Sequence, residues 1–345
     1  MARFSAWVKK HLGSKPTAQR HPEYQLPFLP TPRRSVTLTS FDAPTCLFFQ
    51  LPYDIRELIL LMVLGGCTLH MDIVRQKEGW QWRGAVCHRN QCRVPSMRYA
   101  WAGPWSDPCL RYAYGRNGEF LEEHNPGIMG FLLSCRQAYA EGIHILYSAN
   151  CINIESQPLL IHLPQLVPTD RLGSITSLEV VVTAHRIEQD NGRPSFSLNH
   201  LKPILENIKT HCHHLHSFCL SFLVASCGCE ILDGPTLPLV DAFYHSMQLR
   251  NMRVELPSVT YWKVCDYRSV DHHPREAPAN TWRERSPWRS LDGGEPRVQD
   301  RSIERYPYPP LKLPLREDED ESVESVGYWL LEGDSGPMHP MVTCS

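Results

Sequence analysis

The feature that most constrains the fold is an alternation of strand and helix patterns between residues 174 and 256. Three apolar, partly β-branched runs predict strands at 174–183, 215–225 and 252–256. Helical patterns at 198–212 and 239–249 separate these strands. Helix-length connections between successive strands are typical of right-handed crossovers, which join parallel strands of one sheet. We therefore expect a mixed α/β protein with a largely parallel sheet.

Residues 52–64 predict an amphipathic helix upstream of this region. Pro52 suits the first helical position, where its missing N–H costs nothing, and Gly65 is a typical end signal. Five apolar side chains recur at helical spacing and predict the face that packs on the core: Leu51, Ile55, Leu58, Ile59 and Met62. The alternating residues 67–74 predict a strand directly after this helix.

A second helix is predicted over residues 127–147, followed by a short strand at 151–154. Its apolar stripe is continuous and consists of Leu132, Cys135, Tyr139, Ile143 and Leu146. We expect this stripe to meet the first helix, because each helix has an apolar face to bury. The contact is expected to bury Leu58, Ile59, Tyr139 and Leu146, each contributing about 2 kcal/mol.

A polar link between the two helices is also expected, because large charged side chains are rarely buried without a partner. The residues leave two alternatives. Arg56 of the first helix pairs with Glu141 of the second, or Arg136 of the second pairs with Asp54 of the first.

Composition divides the chain into four parts. Residues 1–43 form a basic, flexible arm, with seven Lys and Arg against two acids. Residues 44–156 hold both helices, and between them an irregular insertion at 76–125 carries the tryptophans Trp80, Trp82, Trp101 and Trp105. Residues 157–265 contain the strand–helix alternation. Residues 266–345 are rich in proline and include an acidic run, which predicts a disordered tail.

The overall composition excludes several classes of function. The chain has 345 residues, a net charge of −2 and a pI of about 6.8, so nothing favours nucleic acid as a partner. The longest apolar run, Leu58–Leu64, is too short to span a bilayer, which predicts no transmembrane segment. Thirteen scattered cysteines favour free thiols in a reducing compartment, the cytoplasm or nucleus. The basic arm leaves mitochondrial targeting as an alternative.

One pair of segments is similar to the motifs of a serine hydrolase. Thr183-Ala184-His185 resembles the histidine motif of trypsin-like enzymes, and Gly333–Pro337 resembles their serine motif with Ser335 as nucleophile. A catalytic triad needs a rigid scaffold that holds its groups within hydrogen-bond reach. Since Ser335 lies in the predicted tail, we attribute the match to chance and expect no catalysis.

Two clusters of cysteine and histidine contain metal-ligand residue types. The first comprises Cys87, His88, Cys92 and Cys109, and it lacks the second close pair that zinc sites usually contain. The second comprises His211, Cys212, His213, His214 and His216, with Cys227 and Cys229 one strand later. Histidines in a last helical turn also stabilise the helix through its dipole. We expect neither cluster to bind metal, and no motif predicts another cofactor.

Two motifs resemble those of a fungal F-box-like family of unknown function. Leu51–Leu60 is similar to the "LPxEIRxxIY" opening that EXR-motif proteins share, with Asp54 in place of the usual glutamate. Residues 135–150 are similar to the family's "CRQxYxExxxxLYSxN" segment. The motif residues that we expect to serve structure or interaction are Leu51, Pro52, Ile55, Arg56, Cys135, Arg136, Tyr139, Glu141, Leu146, Tyr147 and Asn150.

The resemblance implies a protein–protein interaction protein rather than an enzyme. An ordinary F-box docks on a Skp-type adaptor of a ubiquitin ligase, so one alternative is a substrate receptor for such a ligase. The other is a scaffold in which the two helices pack together as a structural core. The two alternatives differ in the surface of helix 52–64, which a receptor leaves apolar and exposed and a scaffold covers with the tryptophan-rich insertion.

Overall fold

The structure is a computed structural model that describes residues 46–76, 79–87, 104, 128–188, 194–223, 234–258, 260–261, 263–264, 281–293, 298–304 and 326–333. The basic arm at 1–43 lies outside the described residues, as does most of the tryptophan- and cysteine-rich insertion.

The described helices fall into two groups along the chain. The first group lies in the N-terminal half and comprises α1 (Leu47–Gln50), α2 (Tyr53–Leu64), α3 (Ile128–Ser134) and α4 (Arg136–Ser148). The second group alternates with strands and comprises α5 (Gln157–Ile161), α6 (Leu163–Leu166), α7 (Thr169–Ser174), α8 (Leu201–His211) and α9 (Thr236–Ser246). Proline occupies one of the first two positions of α5 and α6, where no intrahelical N–H is required.

The strands are β1 (Thr68–Gln76), β2 (Gly79–Val86), β3 (Cys151–Ile154), β4 (Ser177–Thr183), β5 (His185–Glu188), β6 (Pro194–Ser197), β7 (Ser217–Leu223), β8 (Asn251–Leu256), β9 (Thr281–Ser290), β10 (Val298–Glu304) and β11 (Gly327–Glu332). Nine of them form one sheet in the order β10-β9-β11-β8-β7-β4-β3-β1-β2, and β5 with β6 forms a separate hairpin. The expected mixed α/β fold is therefore confirmed.

The middle of the sheet is parallel and its two ends are antiparallel. Strands β1, β3, β4, β7, β8 and β11 run parallel to one another, while β2 and the β9–β10 hairpin are antiparallel to their neighbours. From β1 to β8, each successive parallel strand is added on the same side of the previous one. Right-handed crossovers in a constant direction place their helices on one face of the sheet.

That face holds the main core. Register places Ile152, Leu178, Phe218 and Met252 side by side, and the next row contains Val180, Leu220, Val254 and Leu330. These side chains are almost completely buried, and α5 to α9 each contribute apolar side chains to the same cluster, including Leu159, Leu163, Leu172, Ile204 and Val240. Trp80 and Trp82 of β2 also pack against it.

Two expectations for the fold are wrong. The strand β2 lies in the segment 76–125, which had been expected to be irregular. Three short helices, α5 to α7, also occupy 157–174, to which the sequence pattern assigned no element. Strands β9 to β11 lie in the segment 266–345, so a tail that is disordered throughout is excluded. Strand β9 pairs with β10 and with β11, and β11 pairs with β8.

Candidate interaction surface

Helix α2 exposes the face that was expected to be its core face. Its N-cap is Pro52, and Asp54 lies in its first turn. Leu58 is 55% exposed and Met62 is 79% exposed, whereas Leu60 and Leu64 are the buried residues of the helix. At roughly 100° per residue, Leu60 and Leu64 lie on the side opposite the predicted stripe. The stripe is present in the structure, but it points away from the core.

We call the exposed apolar side chains of α1, α2 and their connection the apolar face. It comprises Leu47, Leu51, Tyr53, Ile55, Leu58, Leu61, Met62 and Val63, all of which are exposed. A helix that is apolar on nearly all sides is typical of burial between two partners. The first partner of α2 is α4, on the side of Leu60 and Leu64. Exposed apolar side chains concentrated in one segment are typical of a surface that binds another molecule.

The contact between α2 and α4 forms a second, smaller core. Leu60 and Leu64 pack with Leu132, Ile143 and Ile145, and the expected packing of the two helices is therefore confirmed. Tyr139, Leu146 and Tyr147 are partly buried around this cluster. The Tyr139 ring also lies beneath the guanidinium of Arg171, with 5.4 Å between Cζ and the ring centroid.

The predicted helix 127–147 is two helices, α3 and α4, separated at Cys135. This residue has an extended backbone, with φ −158° and ψ 166°, and its Sγ accepts a hydrogen bond from the N–H of Ala138 at 3.4 Å. Cys135 is therefore an N-cap and is exposed, so its expected place in the apolar stripe is wrong. A thiol can cap in this way because its sulfur is a weak acceptor.

The polar link between the helices is the pair Arg56–Glu141. Arg56 Nε donates to Glu141 Oε2 at 2.8 Å, and Nη2 donates to Oε1 at 2.7 Å. Gln137 Nε2 donates to the same Oε1 at 2.8 Å. Burial alone would raise the pKa of Glu141, but the hydrogen bonds from Arg56 and Gln137 lower the pKa below its usual value. Arg136 is exposed, so the alternative of a buried pair between Arg136 and Asp54 is wrong.

Asn150 joins the ends of three elements. Its Oδ1 accepts a hydrogen bond from the N–H of Cys67 at 2.8 Å, just before β1. Its Nδ2 donates to the carbonyl of Leu64 at 2.7 Å and to that of Leu146 at 3.0 Å. The residue is 1% exposed. Among the motif residues, Arg56, Glu141 and Asn150 thus hold α2 on α4, while Leu51 and Ile55 belong to the apolar face.

A row of polar residues on the face of the sheet opposite the main core was missed by sequence reasoning. Register aligns His70, Asn153, Glu179, Cys219 and Arg253 on five neighbouring strands. His70 Nδ1 donates to Asn153 Oδ1 at 3.0 Å, and Asn153 Nδ2 donates to Glu179 Oε2 at 3.1 Å. The signal in the sequence is the polar residue at every second position of these strands.

Cys219 of this polar row is not an activated nucleophile. Burial raises the pKa of its thiol well above the usual value, and the carboxylates of Glu255 and Glu179 raise it further. The thiol therefore stays protonated at neutral pH.

The described residues include only part of the candidate catalytic and metal-binding motifs. His185 lies in β5, whereas Ser335 lies outside the described residues, as do His88, Cys92, Cys109, Cys227 and Cys229. His213 and His214 line an open cleft of about 450 Å³ together with His144 and Asp170. Within the described ranges, no three His, Cys, Asp or Glu side chains are grouped so that they could hold a metal ion.

Comparison with known proteins identifies a domain without an assigned function. Residues 41–197 match a family model described as a domain of unknown function (DUF7730). This match spans α1 to α7, the apolar face, the Arg56–Glu141 pair and Asn150. No curated protein and no solved structure gave a match. None of the helices in the described part of the chain has the length and apolar character needed to cross a membrane.

Proposed function

We propose that this chain is a non-catalytic interaction protein whose apolar face binds a Skp-type adaptor of a ubiquitin ligase. The observation that carries the proposal is the exposure of the apolar face, which contains the motif residues Leu51 and Ile55. A receptor needs such a face, because adaptor docking buries roughly 800 Å² on each partner. The α/β half would then be available to bind the protein that is presented to the ligase.

The alternative scaffold function requires the insertion to cover the apolar face. Within the described part of the insertion, Trp80 and Trp82 pack against the main core rather than the smaller core beside α2. This arrangement supports the receptor over the scaffold. The F-box-like resemblance of the α1–α2 segment supports an adaptor, rather than another class of protein, as the partner.

The proposal is tested by measuring binding of the full chain to a purified Skp-type adaptor by biolayer interferometry. We expect the wild-type chain to bind. Substituting Leu58→Lys together with Met62→Lys should weaken binding by at least about 100-fold, because central apolar residues carry most of the energy of an interface. Both side chains are exposed, and lysine has nearly the helix propensity of leucine and methionine, so the melting temperature should change little.

Val326→Lys provides the matched control. Val326 is also an exposed apolar residue, 38% exposed, and it lies before β11, outside the apolar face. Its substitution should leave adaptor binding unchanged. If the wild-type chain does not bind the adaptor, or if the doubly substituted chain binds as tightly as the wild type, the proposed function is wrong.

A further inference from the structure

The guanidinium of Arg56 contacts three separate segments of the chain. Two of its nitrogens bind the carboxylate of Glu141 on α4, as described above. Its third nitrogen, Nη1, donates to the carbonyl of Leu51 and reaches that of Phe49 at 3.5 Å. Phe49 belongs to α1, and Leu51 lies in the connection between α1 and α2. The side chain of Arg56 therefore links α1, α2 and α4.

Helix α1 needs such an anchor because it has only four residues. A single helical turn is not stable by itself in water, since nucleation of a helix is unfavourable. Helix α1 also contacts α3, where the Phe48 ring meets that of Phe131 edge-on with centroids 5.8 Å apart. This aromatic contact and the donors of Arg56 both hold α1 in place.

Helix α1 and its connection contribute Leu47 and Leu51 to the apolar face, beside Ile55 and Met62 of α2. We propose that Arg56, held in place by Glu141, is the residue that positions α1 next to α2, so that the face is formed before a partner binds. Preorganisation of this kind increases affinity because the partner does not have to order the segment. This inference rests on the proposed function, in which the apolar face binds an adaptor.

The geometry also explains why arginine is required at this position. The guanidinium is planar and directs donors toward Glu141 and toward the carbonyls of Phe49 and Leu51 at the same time. A lysine ammonium is a compact charge on one atom, and it does not reproduce this fork. Arg56→Lys is therefore expected to keep an ion pair with Glu141 while losing the hydrogen bonds to Leu51 and Phe49.

The decisive variant exchanges the two charges, Arg56→Glu with Glu141→Arg. The exchanged pair can still join α2 to α4, but a carboxylate at position 56 has no N–H to donate to the carbonyls of Phe49 and Leu51. If the pair only joins α2 to α4, the exchange of charges should restore its effect. If Arg56 positions α1, the exchange should not restore the position of α1.

The experiment measures hydrogen exchange of the full chain in the peptide covering residues 46–52. In this peptide, the backbone N–H of Phe49 donates to the carbonyl of Cys46, and the N–H of Leu51 donates to the carbonyl of Phe48. We expect Glu141→Gln, Arg56→Lys and the exchanged pair each to accelerate exchange there by about 10-fold or more, as expected for local unfolding. Hydrogen exchange in α8 should stay unchanged. The variant with the two charges exchanged should recover most of the melting temperature that Glu141→Gln loses.

Adaptor binding gives the second measurement. Each of these variants should weaken adaptor binding about 10-fold, even when α8 remains protected. The inference is wrong if the exchanged pair restores the protection of residues 46–52, or if Arg56→Lys leaves that protection unchanged. Should the wild-type chain fail to bind the adaptor, the proposed function is wrong, while the exchange measurement still decides whether Arg56 positions α1. If the exchanged pair does not fold, Arg56→Lys decides the question.

Discussion

At the residue scale, Asn150 has the largest predicted effect on stability. Its amide is buried and satisfies the N–H of Cys67 and the carbonyls of Leu64 and Leu146. Asn150→Ala would leave these backbone groups without their partner in a place where few other donors or acceptors can reach. An unsatisfied buried polar group costs roughly 1–3 kcal/mol, so we expect the free energy of unfolding to fall by about 3 kcal/mol. Urea denaturation followed by circular dichroism measures this change.

Asn199→Ala is the control for this prediction. Asn199 is exposed, and its substitution should change the free energy of unfolding by less than about 0.5 kcal/mol. Equal stability of the two variants would contradict the assigned role of the Asn150 amide.

Individual residues also show how far the sequence could be read. The Arg56–Glu141 pair could be predicted because the cost of burying a charge demands a partner, and few acids were available on the other helix. Asn150, by contrast, was predicted only as a motif residue, without an assigned partner. Its three hydrogen bonds depend on Leu64 and Cys67, more than 80 residues earlier in the chain, and nothing local in the sequence specifies that geometry.

At the scale of elements, periodicity located α2 but did not determine its orientation. The helix is apolar on both sides, so either Leu58 with Met62 or Leu60 with Leu64 could have faced the core. The side that packs is decided by α4, which offers Gly142 at the contact. A Cβ at that position would come within 3.2 Å of the Leu64 side chain, so the glycine leaves room for Leu64 at this contact.

This close approach predicts the effect of Gly142→Ala. In an exposed helix interior, alanine is about 1 kcal/mol more favourable than glycine. Here the added Cβ would lie 2.5 Å from Leu132 Cδ2 and 3.2 Å from Leu64 Cδ1, so both side chains would have to shift. Overpacking of this kind costs about 1–3 kcal/mol, and we expect a net destabilisation, measured by thermal denaturation.

Gly130→Ala in α3 tests the opposite case. Position 130 is exposed, and an added Cβ there would have no atom within 4 Å. Alanine at this position should leave the melting temperature unchanged or raise it. A Gly142→Ala variant that is as stable as Gly130→Ala would show that α2 and α4 do not cross closely at this glycine.

At the scale of the whole molecule, the parallel centre of the sheet could be predicted and its C-terminal end could not. Strands β4, β7 and β8 each place apolar side chains such as Leu178, Leu220 and Val254 in the main core. The helical patterns between these strands predict the crossovers that make them parallel. The segment 281–290 is rich in arginine and polar residues and has no such pattern. It becomes a strand because β11, about 40 residues later, pairs with it on one side and with β8 on the other.

Strand β11 therefore connects the C-terminal hairpin to the rest of the sheet. It lies between β8 and β9, although it is the last described strand of the chain. Tyr328 and Leu330 are fully buried, and the Tyr328 hydroxyl donates to Asp241 Oδ1 of α9 at 2.7 Å. Arg289 of β9 binds the same carboxylate through two hydrogen bonds of 2.8 and 2.6 Å. Asp241 thus ties both C-terminal strands to a helix of the main core.

Removing β11 should release this end of the molecule while the parallel centre stays folded. In a chain that ends at residue 325, β9 loses its only pairing with the parallel strands, and the edge of β8 becomes exposed. The loss of Tyr328 and Leu330 alone should reduce the free energy of unfolding by about 4 kcal/mol, because burial of each such side chain contributes about 2 kcal/mol.

Hydrogen exchange of the shortened chain tests this prediction. We expect rapid exchange in 281–290 and faster exchange in β8, with β3 and β4 still protected. A chain that ends at Gly333 retains all described residues and provides the reference for both measurements. If the chain ending at residue 325 keeps the stability and the protection of that reference, β11 does not hold the hairpin on the sheet.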